Sequence, residues 1–454
     1  MWGAAALGGR SAVERLCALA TAAALVPIWL FRFFPTQDGP SHLYNAFVLA
    51  HYFDRANIVI REYLILNTHL FPNWTTYVAM AALMRIFPPL IVQQIVLSIC
   101  VICIPAAVIY LQKSFKAAAD ATALLGVLLA FSYILFMGFF NFIVGAALFI
   151  FTIGFWWRRR KARYLYALYA LLIAIYLSHG LAFAATLMAI AILAATERRW
   201  RVLGELAPAV VLFILDAVAR TGGQPLFRSL LWHLRQLPSF FAAGHIAISY
   251  LVLALVALGV VWGRASARPM VLVSAALFIA YFVMPWGYSA GGQQLQAGWI
   301  NERLLFLAIL TLPAWIALPR PAIATALFLI AIAAHIGMTS IQIAKLNRYI
   351  GEIVKCAPLI RPHSTIQTLF PPSNQTPQVT PTLHLTGYFG LQTDVVDLDD
   401  YEARLPDFPL AYRPALPPRP PDAVVIWRGA QVRRVIGYRV VCSNSEIRLL
   451  QKVQ

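Results

Sequence analysis

The residues best able to do chemistry follow the first long apolar run, in Phe34-Pro-Thr-Gln-Asp-Gly-Pro-Ser-His-Leu-Tyr-Asn45. Gly39-Pro40 is a helix entry, because the fixed φ of proline suits the first helical position. Asp38 then stands at the positive end of a helix dipole, with His42 and Asn45 following on one face. A carboxylate placed there can accept a proton from a hydroxyl or hold a cation, and a neighbouring imidazole tunes its ionisation. The same spacing serves a plainer role: Asp caps helices well and D-G-P is a common turn signal. Spacing alone favours the cap. Farther along, His69 in Leu66-Asn-Thr-His69, Asn141 in Met137-Gly-Phe-Phe-Asn141 and His179 in Tyr176-Leu-Ser-His-Gly180 are polar residues at loops or tight turns that could line the same cavity. A lone histidine at a helix end, such as His179, reads first as structural.

Membrane helices must position these groups. The chain has 454 residues, 61% hydrophobic and 12% charged, with a mean hydropathy of +0.72, which excludes an ordinary soluble globular protein. Apolar runs of spanning length lie near 12–34, 90–112, 121–137, 141–157, 164–178, 181–196, 202–219, 246–263, 269–286, 303–318 and 321–341. With the N-terminus inside, the basic clusters Lys113/Lys116, Arg158 to Arg163, Arg198/Arg199/Arg201, Arg264/Arg268 and Arg320 all become cytoplasmic, as the positive-inside rule requires. This placement explains the formal charge of +18 and argues against a nucleic-acid partner. The stretch 72–87 is apolar but short and contains Arg85; it is expected at the outer interface, anchored by Trp74 and Tyr77. The outer face then holds a large loop, 35–89, further loops at 220–245 and 287–302, and a tail from 342 onward.

The tail alternates Pro-rich segments with strand-like ones, AVVIW and YRVVCSNSEIRLLQKV, the latter a hairpin around Ser443-Asn444-Ser445. A small α/β domain over 342–454 is expected, outside the membrane, behind a transmembrane domain over 1–341. Cys356 and Cys442 fall in it and could form a disulfide in an oxidising compartment, whereas Cys17, Cys100 and Cys103 lie in apolar runs. Asp394, Asp397, Asp399 and Asp400 lack the Gly and final Glu of an EF-hand loop and read as a solvated patch. The sequons at 73–75 and 374–376 carry no weight in a bacterial chain, which the Arg- and Ala-rich composition suggests.

A span, an outer-face acidic residue opening a long loop, a P-x-W helix (Pro72-Asn-Trp74) and a second span together resemble the GT-C-type membrane glycosyltransferases. That group includes the lipid A aminoarabinose transferases and protein O-mannosyltransferases; the resemblance is closest over residues 12–112. It implies an all-α polytopic fold of about eleven helices, N-terminus in and C-terminus out, in a bacterial inner membrane, and a catalytic role for Asp38, with His42 beside it where many members carry a second acidic residue. It implies a sugar donor on polyprenyl phosphate and an envelope lipid, glycan or protein acceptor. A divalent cation is compatible with Asp38 but not required. A departing lipid phosphate needs positive charge, for which Arg303 in Trp299-Ile-Asn-Glu-Arg303 is the first candidate, with Arg220, Arg228, His233 and Arg235 behind it. Arg303 could equally anchor its helix or pair with Glu302. Gln293, Gln294, Gln296 and Asn301 would supply a polar lining for sugar hydroxyls. A transporter or flippase of lipid-linked intermediates, and a non-catalytic scaffold of the same fold, are the alternatives; against transport, the spans are nearly free of charge at their centres, Glu205 and Asp216 lying near the ends of one.

Overall fold

The computed structural model describes residues 11–162, 164–219, 223–239, 245–263, 268–290, 294–369, 379–415, 419–430 and 436–453. In chain order its first elements are α1 (Ala12–Leu30), α2 (Gly39–His51), α3 (Ile58–Tyr63), β1 (Leu64–Leu66), α4 (Thr75–Met84), α5 (Pro89–Phe115), α6 (Leu125–Ala130), α7 (Tyr133–Met137) and α8 (Phe140–Arg159). Then come α9 (Leu165–Ser178), α10 (Gly180–Thr196), α11 (Arg201–Ala219), β2 (Gln224–Leu226), α12 (Leu230–Gln236), α13 (Ile246–Val261), α14 (Arg268–Val283), β3 (Gly287–Ala290), β4 (Gln294–Ala297), α15 (Ile300–Thr311) and α16 (Pro321–Val354). The tail adds β5 (Ser364–Leu369), α17 (Thr386–Phe389), β6 (Val395–Asp397), β7 (Leu410–Tyr412), β8 (Ala423–Trp427), β9 (Tyr438–Ser443) and β10 (Ile447–Lys452).

Every apolar run marked in the sequence is helical, with three departures. The 121–137 run is not one helix but a 3₁₀ turn at Ala121–Leu124 followed by α6 and α7. The 303–318 run begins earlier and ends in a 3₁₀ turn at Leu312–Ala314. The last run continues past 341 as α16, whose 34 residues make a rod of about 50 Å, longer than the roughly 30 Å of bilayer hydrocarbon. Four helical segments, α1, α5, α8 and the one starting at Pro321, are each long and apolar enough to cross a membrane. Proline begins both α5 and α16, where its missing N–H costs nothing.

The chain divides into two compact units, and the boundaries fall inside α1, α5, α7, α8 and α16. Unit 1 comprises residues 1–26, 98–135 and 141–339. In it, α10 packs against α9, α11, α14 and α15. One buried polar cluster links α14 to the end of α15: Ser274 Oγ lies 2.7 Å from Thr311 Oγ1 and accepts from Trp315 Nε1 at 2.9 Å. The 220–245 and 287–302 loops contribute a three-stranded antiparallel sheet, β2-β3-β4.

Unit 2 comprises residues 27–97, 136–140 and 340–454, so the 35–89 loop and the tail fold together. Its sheet has the order β6-β5-β8-β10-β9, with β5 parallel to both neighbours and β9-β10 the hairpin the tail sequence foretells. A disulfide joins Cys356, just after α16, to Cys442 on β9. A second, two-stranded sheet pairs β1 from the loop with β7 from the tail, Leu64 opposite Tyr412. Around it Tyr44, Val48, Tyr52, Ile60, Val396, Ala403 and Leu410 form one buried core. Gly387 in α17 lies flat on the start of α2, and a Cβ there would sit 2.3 Å from the Pro40 carbonyl oxygen. Gly387→Ala should therefore destabilise the protein by about 1–3 kcal/mol, the usual range for overpacking, measured as a fall in melting temperature in detergent; an unchanged melt would mean this contact is not tight.

Candidate functional site

Asp38 occupies the N-cap position of α2, yet its side chain makes no capping hydrogen bond. The carboxylate instead accepts from Gln37 Nε2 at 3.2 Å and faces His384 Nε2 at 3.6 Å. Residues 136–138 fix the backbone there: Gln37 N donates to Phe136 O at 2.9 Å and Asp38 N to Met137 O at 3.0 Å. Gly138 permits this approach. Its φ is +89°, and a Cβ would meet the Gly39 nitrogen at 2.8 Å, a conformation and a clearance that only glycine provides. Gln37 Oε1 in turn accepts from Thr380 N at 3.0 Å, and His384 lies against the Tyr401 ring with centroids 4.4 Å apart.

His42 is one turn along α2 and is buried. Its Nδ1 lies 2.6 Å from Glu402 Oε1, and the Tyr77 hydroxyl donates to Glu402 Oε2 at 2.6 Å while lying 2.5 Å from the same Nδ1. Burial works against a charged imidazole, but the Glu402 carboxylate, the Asp38 carboxylate and the Gly138 carbonyl together outweigh it, and the His42 pKa is raised. With acceptors engaging it on both sides, the imidazolium form of His42 is favoured. His384 goes the other way: burial, then the charge of His42, depress it to about 3, so its imidazole is neutral.

Asn45 is tied to the tail. Its amide donates to Asp400 Oδ2 at 2.9 Å and to Ser41 O at 3.1 Å, while Ser41 Oγ donates to Asp400 Oδ1 at 2.8 Å. Burial, then the Glu402 charge, raises Asp400 to about 7.

The acidic residues of the tail are not a solvated patch. Asp394, Asp397 and Asp400 are buried. Asp394 accepts three backbone N–H groups at the start of α3, from Ile58, Val59 and Ile60, at 2.8–3.0 Å, and pairs with His363 at 2.6 Å. Such a cap is where a carboxylate gains most from a helix N-terminus. Burial drives Asp397 well up, reinforced by the Asp400 charge. Tyr77 is likewise not an interfacial anchor: it is wholly buried, its hydroxyl committed to Glu402. His69 is exposed in the loop, its N–H 3.4 Å from Asn67 Oδ1.

The other sequence candidates lie in unit 1. Arg303 donates from Nη1 to Gly298 O at 2.9 Å and faces the Phe142 ring at 5.8 Å. Arg228 is exposed, with its guanidinium 4.3 Å from the Trp286 ring, whose Nε1 donates to Glu302 Oε1 at 3.2 Å. Arg235 is exposed on α12 and His233 is buried there. Asn301 gives its amide to Tyr281 O and Met284 O at 2.7 and 2.9 Å, closing the end of α14. His179 caps α10, accepting from Leu181 N at 3.1 Å, and Asn141 is buried at the start of α8. Gln294 begins β4; Gln293 and Arg220 lie outside the described residues. The structure thus brings Asp38 and His42 together with Glu402, His384, Tyr77 and Asp400. No sequence signal singled out these partners except the acidic run that contains Asp400.

With that geometry in view, two solved structures share the fold across the chain. One is ArnT from Cupriavidus metallidurans bound to undecaprenyl phosphate, with TM-score 0.56 and 11% identity over 98% of this chain and 99% of that one. The chain has the ArnT fold. The apo form of the same protein aligns over the same shares with TM-score 0.51 and 12% identity. ArnT is a lipid A aminoarabinose transferase of the GT-C class, so the GT-C resemblance read from residues 12–112 extends in fold to nearly the whole chain. In sequence, no family model matches the chain and no curated protein is similar to it.

The raised Asp400 carboxyl gives a pH test. Its folded pKa of about 7 exceeds the usual carboxyl value of 3.8, so between those values the native state holds a proton that the unfolded state has released, and stability falls as pH rises through that window. Asp400→Asn should flatten the fall in melting temperature between pH 4 and 7; an unaltered pH slope would mean that Asp400 does not titrate there.

Proposed function

We propose that the chain is a GT-C-type membrane glycosyltransferase that moves a sugar from a polyprenyl-phosphate donor to an envelope lipid, glycan or protein. The observation that carries this reading is a shielded Asp38 carboxylate that heads α2 without capping it, in a chain whose fold is that of ArnT over 98% of its length. The ArnT structure holding undecaprenyl phosphate supports the donor class. In the reaction Asp38 takes the proton of the acceptor hydroxyl, the acceptor oxygen bonds to the anomeric carbon, and the bond from that carbon to the phosphate oxygen breaks with inversion, its electron pair leaving on the lipid phosphate. Arg303, with Arg228 and Arg235, would neutralise the departing phosphate; guanidinium forks suit phosphate oxygens.

Eleven spans with the N-terminus inside would put Asp38 and the tail on the outer face of the inner membrane. The charge pattern supports that orientation, and so does the Cys356–Cys442 disulfide, since such bonds persist in oxidising compartments. One observation favours transport instead: His245 and His335, both buried, approach with their Nδ1 atoms 3.3 Å apart, and His335 lies inside α16, where ionisable groups often serve transport.

Mass spectrometry of envelope glycans and lipid-linked sugars, in source cells lacking the protein, decides between these. A sugar increment should vanish in the deletion, return with wild type, and fall roughly 10²–10⁴-fold with Asp38→Asn, the usual scale for losing a general base. Full restoration by Asp38→Asn would remove Asp38 from the mechanism. A deletion that alters no glycan, but leaves a lipid-linked sugar trapped on one side, would move transport ahead.

A further inference from the structure

Nothing in the resemblance assigns a role to the tail, yet the carboxylate lying against His42 comes from it. Glu402 stands in a short 3₁₀ turn. It is fully buried, with one oxygen 2.6 Å from His42 Nδ1 and the other accepting from Tyr77 at 2.6 Å. An acidic side chain in such a place is costly unless it is matched by charge and hydrogen bonds. The match here is to a residue one helical turn from Asp38.

We propose that Glu402, held by Tyr77, is a positioning residue of the reaction: it fixes His42 as a cation beside Asp38, and so keeps Asp38 in the form that accepts a proton. The proposal rests on the reading of Asp38 as the base. The groups facing His42 are Asp38 at the head of its own helix, Tyr77 from α4, Glu402, and His384 ahead of α17, with Asp400 behind Glu402. Glu402 and Asp38 favour the imidazolium. His384 is neutral and adds no charge, and the hydroxyl of Tyr77 orients Glu402. Deleting the Glu402 charge therefore leaves burial and Asp38 as the main opposing influences on His42, and the imidazolium becomes easier to deprotonate.

The sign of the effect follows. Where activity requires protonated His42, the rate falls as pH rises through the His42 pKa. Glu402→Gln should move this alkaline limb to lower pH by about one unit or more, the usual scale for losing a close opposite charge, and Glu402→Asp should restore most of it. His42→Gln should abolish the limb. The assay uses membrane vesicles from the deletion strain, carrying their own donor and acceptor lipids and the full-length variant at matched levels, with the sugar increment read by mass spectrometry from pH 5.5 to 9.

A purely structural Glu402 would lower the amplitude and the melting temperature and leave the limb in place, which overturns the proposal. A limb that persists in His42→Gln overturns it even if Glu402→Gln does not fold. If wild-type vesicles add no increment that depends on Asp38, the glycosyltransferase reading itself falls and takes this proposal with it; a wild-type increment with an unmoved limb removes the proposal alone.

Discussion

Burying a carboxylate costs several kcal/mol unless hydrogen bonds and charge return it, and unit 2 buries Asp38, Asp394, Asp397, Asp400 and Glu402. The arrangement of loop and tail follows from how these are satisfied. Asp394 reaches the backbone N–H groups of α3, Asp400 reaches Ser41 and Asn45 of α2, and Glu402 reaches His42 of α2 and Tyr77 of α4. Each of these three carboxyl groups comes from the tail and each of these partners from the first loop. Without the other, the tail would bury these acids with fewer donors, and the loop would leave Asn45, Tyr77 and the N–H groups that start α3 without their acceptors. Strand pairing of β1 with β7 and the core around Tyr44 complete what the polar contacts specify.

The polytopic helical fold was legible because apolar runs and basic clusters are strong, local signals. Each run is helical, one of them in three short pieces, and the departures have local causes. The 121–137 run is apolar except for Thr122 and Ser132, so its composition gave little sign of the breaks that end α6 after Ala130 and begin α7 at Tyr133. The helix from Pro321 continues to Val354 because residues beyond 341 are still good helix formers, though no longer apolar enough to be counted as a span. In the tail, the apolar AVVIW and the YRVVCSNSEIRLLQKV segment marked β8 and the β9-β10 hairpin correctly, whereas β5 is mostly polar and β6 has only three residues.

At the site, Asp38 and His42 stood out because a D-G-P turn followed by a histidine is a local pattern. Their partners did not, since no periodicity links Tyr77 to a glutamate in the tail, and a run of aspartates looks the same whether solvated or buried. Burial inverted that reading. Asn301 and His179 show the opposite case: both were noticed as polar residues near turns, and both are occupied in closing or opening helices, work that needs no ligand.

Tyr77 and Glu402 stand 325 residues apart, with most of the helices of the chain translated between them. At ribosomal rates of about 5–20 residues per second, the first loop waits about 15–65 s after its own synthesis before the carboxylate that completes it exists. The nascent chain therefore carries His42, Asn45 and Tyr77 without their carboxylate partners until residues 400–402 have been made.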